Sequence, residues 1–294
     1  MTTVSPAMPA PRKRRKRMSW WRVAERAFLY VLVVFLVVLF VAPLVWGFLA
    51  SLRDPSAGVS GPPIPEDLRW DNYRYAWDGA FPFATYLWNT VVITLIATVP
   101  AVLTSAFAGY AFARMSAPGK NMTFLFVLAT TFIPVSIIFI PFFWVVVKLN
   151  MYGTRWPWFI WGIAGSAFLI FFYRQFYAGF PQALDDAAAL DGCGHIRTFV
   201  QIYLPNSIAP LVVGFVILGT GWWGEYFYAQ LLLPDQTLPL GPKIAGGYTD
   251  PGLQIVLPAV TLAGSFLFTL PVLIVFFLLQ KRLTQGIVTT GVKG

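Results

Sequence analysis

The chain has 294 residues, 57% of them hydrophobic and 17% aromatic, but only 11% charged, with a mean hydropathy of +0.68. A soluble domain usually carries about a quarter charged residues, so this composition excludes an ordinary soluble globular protein. The formal net charge is +9, and a single cysteine, Cys193, excludes an internal disulfide and offers no metal cluster.

The first 11 residues, MTTVSPAMPAP, have the composition of a disordered tail, and the basic run Arg12–Arg17 follows them. Such a run in a soluble protein would suggest nucleic acid. Here it precedes an apolar run, where anionic lipid attracts each cation by about 1 kcal/mol, and it reads as a topological anchor in contact with lipid. Residues 1–27 are thus expected to be a basic cytoplasmic tail with no nucleic-acid partner.

Six apolar runs then fill the chain: Phe28–Ala50, Tyr86–Ala113, Met122–Val147, Trp158–Tyr177, Ser207–Leu233 and Val256–Leu279. About 20 apolar residues suffice to cross a bilayer as a helix, and lipid forces the backbone to satisfy its own polar groups. The fold class expected is therefore an all-α membrane protein with six transmembrane helices over 28–280 and a C-terminal tail over 281–294. At 23 residues the first run is too long for a cleavable signal.

Basic residues resist translocation and so set the topology. With the N-terminus inside, fifteen of the 21 Lys and Arg fall on the cytoplasmic side, including Arg114, Lys120, Arg174 and Arg197. The other six, Arg53, Arg69, Arg74, Lys148, Arg155 and Lys243, fall outside. Both termini and the segment Ala183–Pro210 are then cytoplasmic.

The first loop, Ser51–Phe83, is rich in Pro and Gly; its second half, DLRWDNYRYAWDG, suits an interfacial helix, with a sugar-stacking platform as the sharper alternative. Pro43, Pro100, Pro134, Pro141, Pro258 and Pro271 interrupt the spans and predict kinks that serve either gating or packing. Ionisable groups are nearly absent from the spans, with Glu225 near the outer end of the fifth. That argues against a proton relay, while sodium sites built from backbone carbonyls stay open. No G-x-x-x-x-G-K-[ST] loop is present and His195 is the single histidine. Neither ATP hydrolysis nor nucleophilic chemistry by this chain is therefore expected, and no metal or cofactor of its own.

The polar segment ALDDAAALDGCGHIRTFVQIYLPNSIAP, Ala183–Pro210, is the most informative. Leu184–Leu190 is a strong helix former with Asp185 and Asp186 in its first turn, where negative charge suits the dipole. Gly192 supplies the left-handed residue that ends such a helix. A second helix is predicted from His195 to Tyr203, with Ile196, Phe199, Val200 and Tyr203 on one apolar face, ended by Pro205. The alanines permit close approach of a partner and the acids suit its arginines; a loop that merely caps the bundle is the alternative.

This segment resembles the cytoplasmic loop of inner-membrane permease subunits of ABC importers, whose pattern is E-A-A-x-x-x-G followed downstream by I-x-L-P. The matching residues are Asp186-Ala187-Ala188-Ala189-Leu190-Asp191-Gly192 and then Ile202-Tyr203-Leu204-Pro205, with Asp186 where glutamate is usual. The C-terminal Gln280-Lys281-Arg282-Leu283, Gly286 and Gly291-Val292-Lys293-Gly294 are similar to the ending of maltose-type carbohydrate permeases, apart from a missing alanine before Val292. Thr237-Leu238-Pro239-Leu240-Gly241 and Trp223-Gly224-Glu225-Tyr226-Phe227 look like further motifs of that group, and with six spans and no inserted outer domain the chain resembles its MalG-like member. The resemblance implies the type I permease fold, a multi-pass location in the plasma membrane of a prokaryote, and a role as one half of the translocation pathway of a sugar importer.

It further implies that Asp186, Ala187, Ala188, Asp191, Gly192, Ile202, Leu204 and Pro205 couple to an ATPase subunit. The implied partners are a second permease subunit, an ATP-binding subunit dimer that holds ATP and magnesium, and an extracytoplasmic substrate-binding protein. A self-sufficient sodium-coupled carrier or channel, and an ABC permease for glycerol-phosphodiesters, stand as alternatives.

Overall fold

The structure is a computed structural model and describes residues 20–56, 62 and 64–291. The basic run Arg12–Arg17, and Lys293 and Gly294 of the C-terminal motif, lie outside the described residues. The chain divides into two units, residues 1–49 and 50–294. The first unit is the body of α1 (Trp20–Ser51), whose aliphatic and aromatic side chains are exposed from Phe28 to Trp46, as lipid-facing side chains would be.

The second unit opens with α2 (Asp71–Asp78), so the aromatic stretch of the first loop is a helix as expected. Asn72 fixes it by donating its amide to the carbonyls of Ser51 at 2.8 Å and Arg53 at 2.7 Å. Next comes α3 (Phe83–Arg114), the 32-residue helix against which α6 (Trp156–Ala164), α7 (Ala167–Ala178) and α10 (Ile208–Trp223) pack. Its small residues let those helices approach closely, which is how helices associate where lipid removes any hydrophobic advantage. At Gly109 an added Cβ would lie 2.7 Å from Tyr173 Cβ and 2.9 Å from the Arg174 nitrogen, so glycine is required there.

The third apolar run is not one straight helix. It forms α4 (Lys120–Ala129), a 3-10 turn Thr130–Phe132, and α5 (Val135–Lys148), bent by 102°. Pro134 removes an amide donor and pushes Ile133 into extended backbone (ψ 116°), which breaks the ladder. The fourth run is interrupted where Gly165 takes φ +76° between α6 and α7, a break that the apolar pattern conceals. Among the described residues, five helical stretches are long and apolar enough to cross a membrane, or six if the bent pair is one span. The fifth stretch ends at Trp223, ten residues before the sequence-based boundary at Leu233, because Gly224 and Glu225 turn the chain into the short α11 (Phe227–Leu232).

Between α7 and α10 lie α8 (Ala183–Leu190) and α9 (His195–Thr198). After α11 come α12 (Leu240–Ala245) and the long α13 (Pro258–Gly291). Extended pairing among the described residues is confined to a single bridge, Thr249 with Val256. Two buried clusters organise this unit. One gathers Ala76 of α2, Phe83 and Tyr86 of α3, Trp158 of α6, Tyr228 of α11, Leu240 of α12 and Val260 of α13, with Tyr248 from the loop before α13. The other gathers Tyr110, Leu169, Tyr173, Tyr177, Phe199 and Tyr203 where α3 and α7 meet the polar segment.

Candidate functional site

The α8 helix ends as its sequence dictates. Gly192 (φ +72°) donates its N–H to Ala189 O at 3.0 Å and Cys193 donates to Ala188 O at 2.9 Å, the paired bonds of a Schellman cap. Ala188 is buried at 3% exposure, and Leu184 and Asp185 are half-buried, so this face of α8 turns inward. Asp186, Ala187 and Leu190 turn outward, with Leu190 90% exposed.

The second helix departs from its prediction. Four residues, His195–Thr198, are α-helical, and Phe199–Tyr203 continue as a π-turn in which Leu204 N–H reaches back five residues to Phe199 O at 2.8 Å. The inserted residue rotates the chain, so the expected single apolar face is divided. Phe199 and Tyr203 are buried, whereas Ile196 (68% exposed) and Val200 face outward. A periodic count cannot register a change of pitch within the segment it counts.

Inward, the segment is held by a cluster that composition and periodicity did not reveal. Arg114, the last residue of α3, donates from Nε to Asp185 Oδ2 at 2.8 Å and pairs with the same carboxylate through Nη2. Its Nη1 donates to Phe180 O and its Nη2 to Pro181 O, both at 3.1 Å, at the corner between α7 and α8. The other Asp185 oxygen accepts the Tyr203 hydroxyl at 2.8 Å. Burial, and then that bond to Asp185, raise the Tyr203 phenol above its ordinary pKa. The Tyr203 ring in turn packs on Tyr110 at 4.8 Å, Phe180 at 5.1 Å and Tyr177 at 5.6 Å between centroids.

The residues singled out by sequence therefore separate into two sets. Asp186, Ala187, Asp191, Gly192 and Pro205 are exposed, and the Asp186 carboxylate accepts no hydrogen bond among the described residues. Ala188, Ile202 and Leu204 face the interior, the last two against the aromatic cluster. Gln280 and Gly286 lie on α13, which continues helical well past the expected span end at Leu279; the Gln280 amide donates to Phe277 O at 3.0 Å.

At the other end of the unit, the Thr237–Gly241 motif is strapped onto α3. Asn89 Nδ2 donates to Gln236 O at 3.1 Å and to Leu238 O at 2.9 Å, and Leu240 N–H donates to Thr90 Oγ1 at 2.8 Å. Glu225, 8% exposed, accepts the N–H groups of Tyr228 at 2.9 Å and Ala229 at 3.1 Å and so caps α11. Burial raises its pKa, and those backbone bonds oppose the rise. These motifs shape the fold at that end rather than standing free for a ligand.

A cavity of about 410 Å³ lies between α3, α10 and α13, walled by Thr94, Leu95, Phe215, Thr220, Trp223 and Pro271. Its lining is almost wholly apolar, so a polyhydroxylated ligand inside it would lose its water hydrogen bonds without replacement.

Long apolar helices with a charged, partly apolar segment exposed between two of them define a multi-pass membrane protein. Residues 101–289 match the family described as binding-protein-dependent transport system inner membrane component, and the chain belongs to that family. It is 31% identical over 291 residues to the arabinooligosaccharides transport system permease protein AraQ of Halalkalibacterium halodurans, covering 96% of this chain and 99% of that protein. It is 28% identical over 280 residues to the sn-glycerol-3-phosphate transport system permease protein UgpE of Yersinia pestis, covering 89% of this chain and 95% of that one. The fold is shared, at a TM-score of 0.77 and 20% identity, with a chain in the crystal structure of a bacterial ABC transporter involved in the import of the acidic polysaccharide alginate. That likeness covers 90% of this chain and 98% of the other.

Proposed function

We propose that this chain is one of two permease subunits forming the pathway of an ATP-driven sugar importer, and that the exposed face of α8 and α9 is where a separate ATPase subunit docks. The observation that carries the docking assignment is the combination at that face. Leu190, Ile196 and Val200 stand exposed, as does the unpaired Asp186, in a segment whose Asp185, Phe199 and Tyr203 are held inward at a buried aromatic cluster. Exposed apolar side chains next to a free charge suit a protein partner, with the alanines admitting close contact. Placing this face in the cytoplasm follows from the distribution of Lys and Arg, and puts both termini on the same side.

In this reading an extracytoplasmic binding protein delivers the substrate to the permease pair. Closure of the ATPase dimer on ATP and magnesium moves α8, and hydrolysis resets it; the permease itself binds neither nucleotide nor metal. The sugar assignment is supported by the name of the arabinooligosaccharide relative. The relative named for sn-glycerol-3-phosphate supports a second cargo class, a glycerol phosphate or its diester.

Reconstitution tests both. The chain is placed in liposomes with its partner permease, ATPase subunits and binding protein, and uptake of labelled oligosaccharide and of glycerol phosphate is followed with and without ATP. Oligosaccharide uptake that needs ATP and every subunit supports the reading. Flux through the permeases alone, or uptake confined to the phosphate ester, overturns the corresponding part.

A further inference from the structure

We propose that Arg114, Asp185 and Tyr203 are positioning residues that form the joint through which movement of α8 reaches α3; the inference rests on the importer reading above. The chain connections on the far side of α8 are built to bend. Gly192 and Gly194 follow it in open space, with nothing within 4 Å of an added Cβ at either, and Gly192 is left-handed. Force applied at Asp186 or Leu190 therefore does not travel stiffly along the backbone into α9.

The non-covalent route is shorter and stiffer. Arg114 ends α3, the helix against which α6, α7 and α10 all pack. Its planar guanidinium spans the Asp185 carboxylate and the carbonyls of Phe180 and Pro181 at once, a pattern that a lysine ammonium cannot reproduce. The side chains of Arg114 and Asp185 are 8% and 20% exposed, so water competes weakly for either charge. Through Tyr203 the same carboxylate also holds the π-turn, so α3, the α7–α8 corner, α8 and the segment leading to α10 meet at one side chain. Asp186, one position on, stays free for the motor. Adjacent acids thus divide the work, one receiving the push and the other passing it on.

The test uses the reconstituted complex with Arg114→Gln, Asp185→Asn, the double variant, Arg114→Lys and Tyr203→Phe. Recovery of the ATPase subunit with the permease, ATP turnover, and substrate taken up per ATP are measured. The ATPase subunit is expected to co-purify normally and ATP turnover to stay within about twofold of wild type. Uptake per ATP should fall at least tenfold in each neutralised single variant and no further in the double, since both remove the same joint. Arg114→Lys should restore part of the ratio. Tyr203→Phe keeps its ring in the cluster and serves where an arginine variant does not assemble; it should lower the ratio about threefold.

An unchanged ratio in Tyr203→Phe and in every assembling variant overturns the proposal. So do losses that multiply in the double variant, or loss of the ATPase subunit itself, which would make these docking residues. Wild-type uptake that needs no ATP would instead overturn the importer reading, and the joint with it.

Discussion

Asp186→Arg separates docking from folding. The side chain is exposed and hydrogen-bonded to nothing among the described residues, so its replacement should alter stability by no more than about 0.5 kcal/mol, as for other surface positions. If a partner arginine meets this carboxylate in a desolvated interface, removing it costs about 2–5 kcal/mol. At 1.4 kcal/mol per decade that weakens ATPase binding by about 30-fold to several-thousand-fold. Reversing the charge adds repulsion to the loss. The variant should therefore reach the membrane in normal amount and melt in detergent within a degree or two of wild type, while binding of the purified ATPase subunit collapses and uptake stops. Normal uptake from a well-inserted Asp186→Arg protein would refute the docking assignment, because no other residue in the first turn of α8 offers a free charge.

Four further variants probe the frame of the unit. Gly109→Val drives a side chain into Tyr173 Cβ and the Arg174 backbone; overpacking of this kind costs about 1–3 kcal/mol, read as a lower melting temperature in detergent, with Gly221→Val in open space as the tolerated control. Gly192→Ala meets no neighbour but must hold φ +72°, which costs about 1–2 kcal/mol locally and should leave most uptake. Gly192→Pro cannot adopt that angle and loses the bond to Ala189, so it should insert normally and transport nothing. Glu225 has a folded pKa raised above its ordinary 4.5 by burial, so the folded state holds the proton more tightly than the unfolded. Its contribution to stability is then full below pH 4.5 and declines as pH rises through the raised folded value. Melting temperature measured between pH 4 and 7 should show that decline, and Glu225→Gln should flatten it.

Much of this architecture is legible in one dimension because lipid imposes a simple rule. Long apolar runs must be helices, and where most of them lie follows from length and composition. The Schellman cap at Gly192 and the helix at Ala183–Leu190 were equally readable, since both depend on residues within a few positions of one another. What escaped depends on pitch or on distance. Gly165 breaks the fourth span inside an unbroken apolar pattern, and at the π-turn Phe199–Tyr203 the predicted apolar face divides, with Ile196 outward and Phe199 inward. Arg114 and Asp185 stand 71 residues apart in the chain, and counting Arg114 among loop charges gave no hint that it would be buried against an acid.

Asp185 and Asp186 show why chemistry read from residue type alone assigns only part of a site. Both are first-turn aspartates on an eight-residue helix, and either suits the dipole or a partner's arginine. Successive positions on an α-helix point about 100° apart, and here that angle decides everything: Asp185 turns to Arg114 and Tyr203, and Asp186 turns to solvent. A glutamate at 186 would extend the outward charge by one methylene without touching the inward pair. Asp186→Glu should therefore keep uptake near wild type, whereas Asp185→Glu, forced against the tight geometry of Arg114 and Tyr203, should lose it. Equal tolerance at both positions in the reconstituted complex would show that the two carboxylates are interchangeable and that the division of labour between them is wrong.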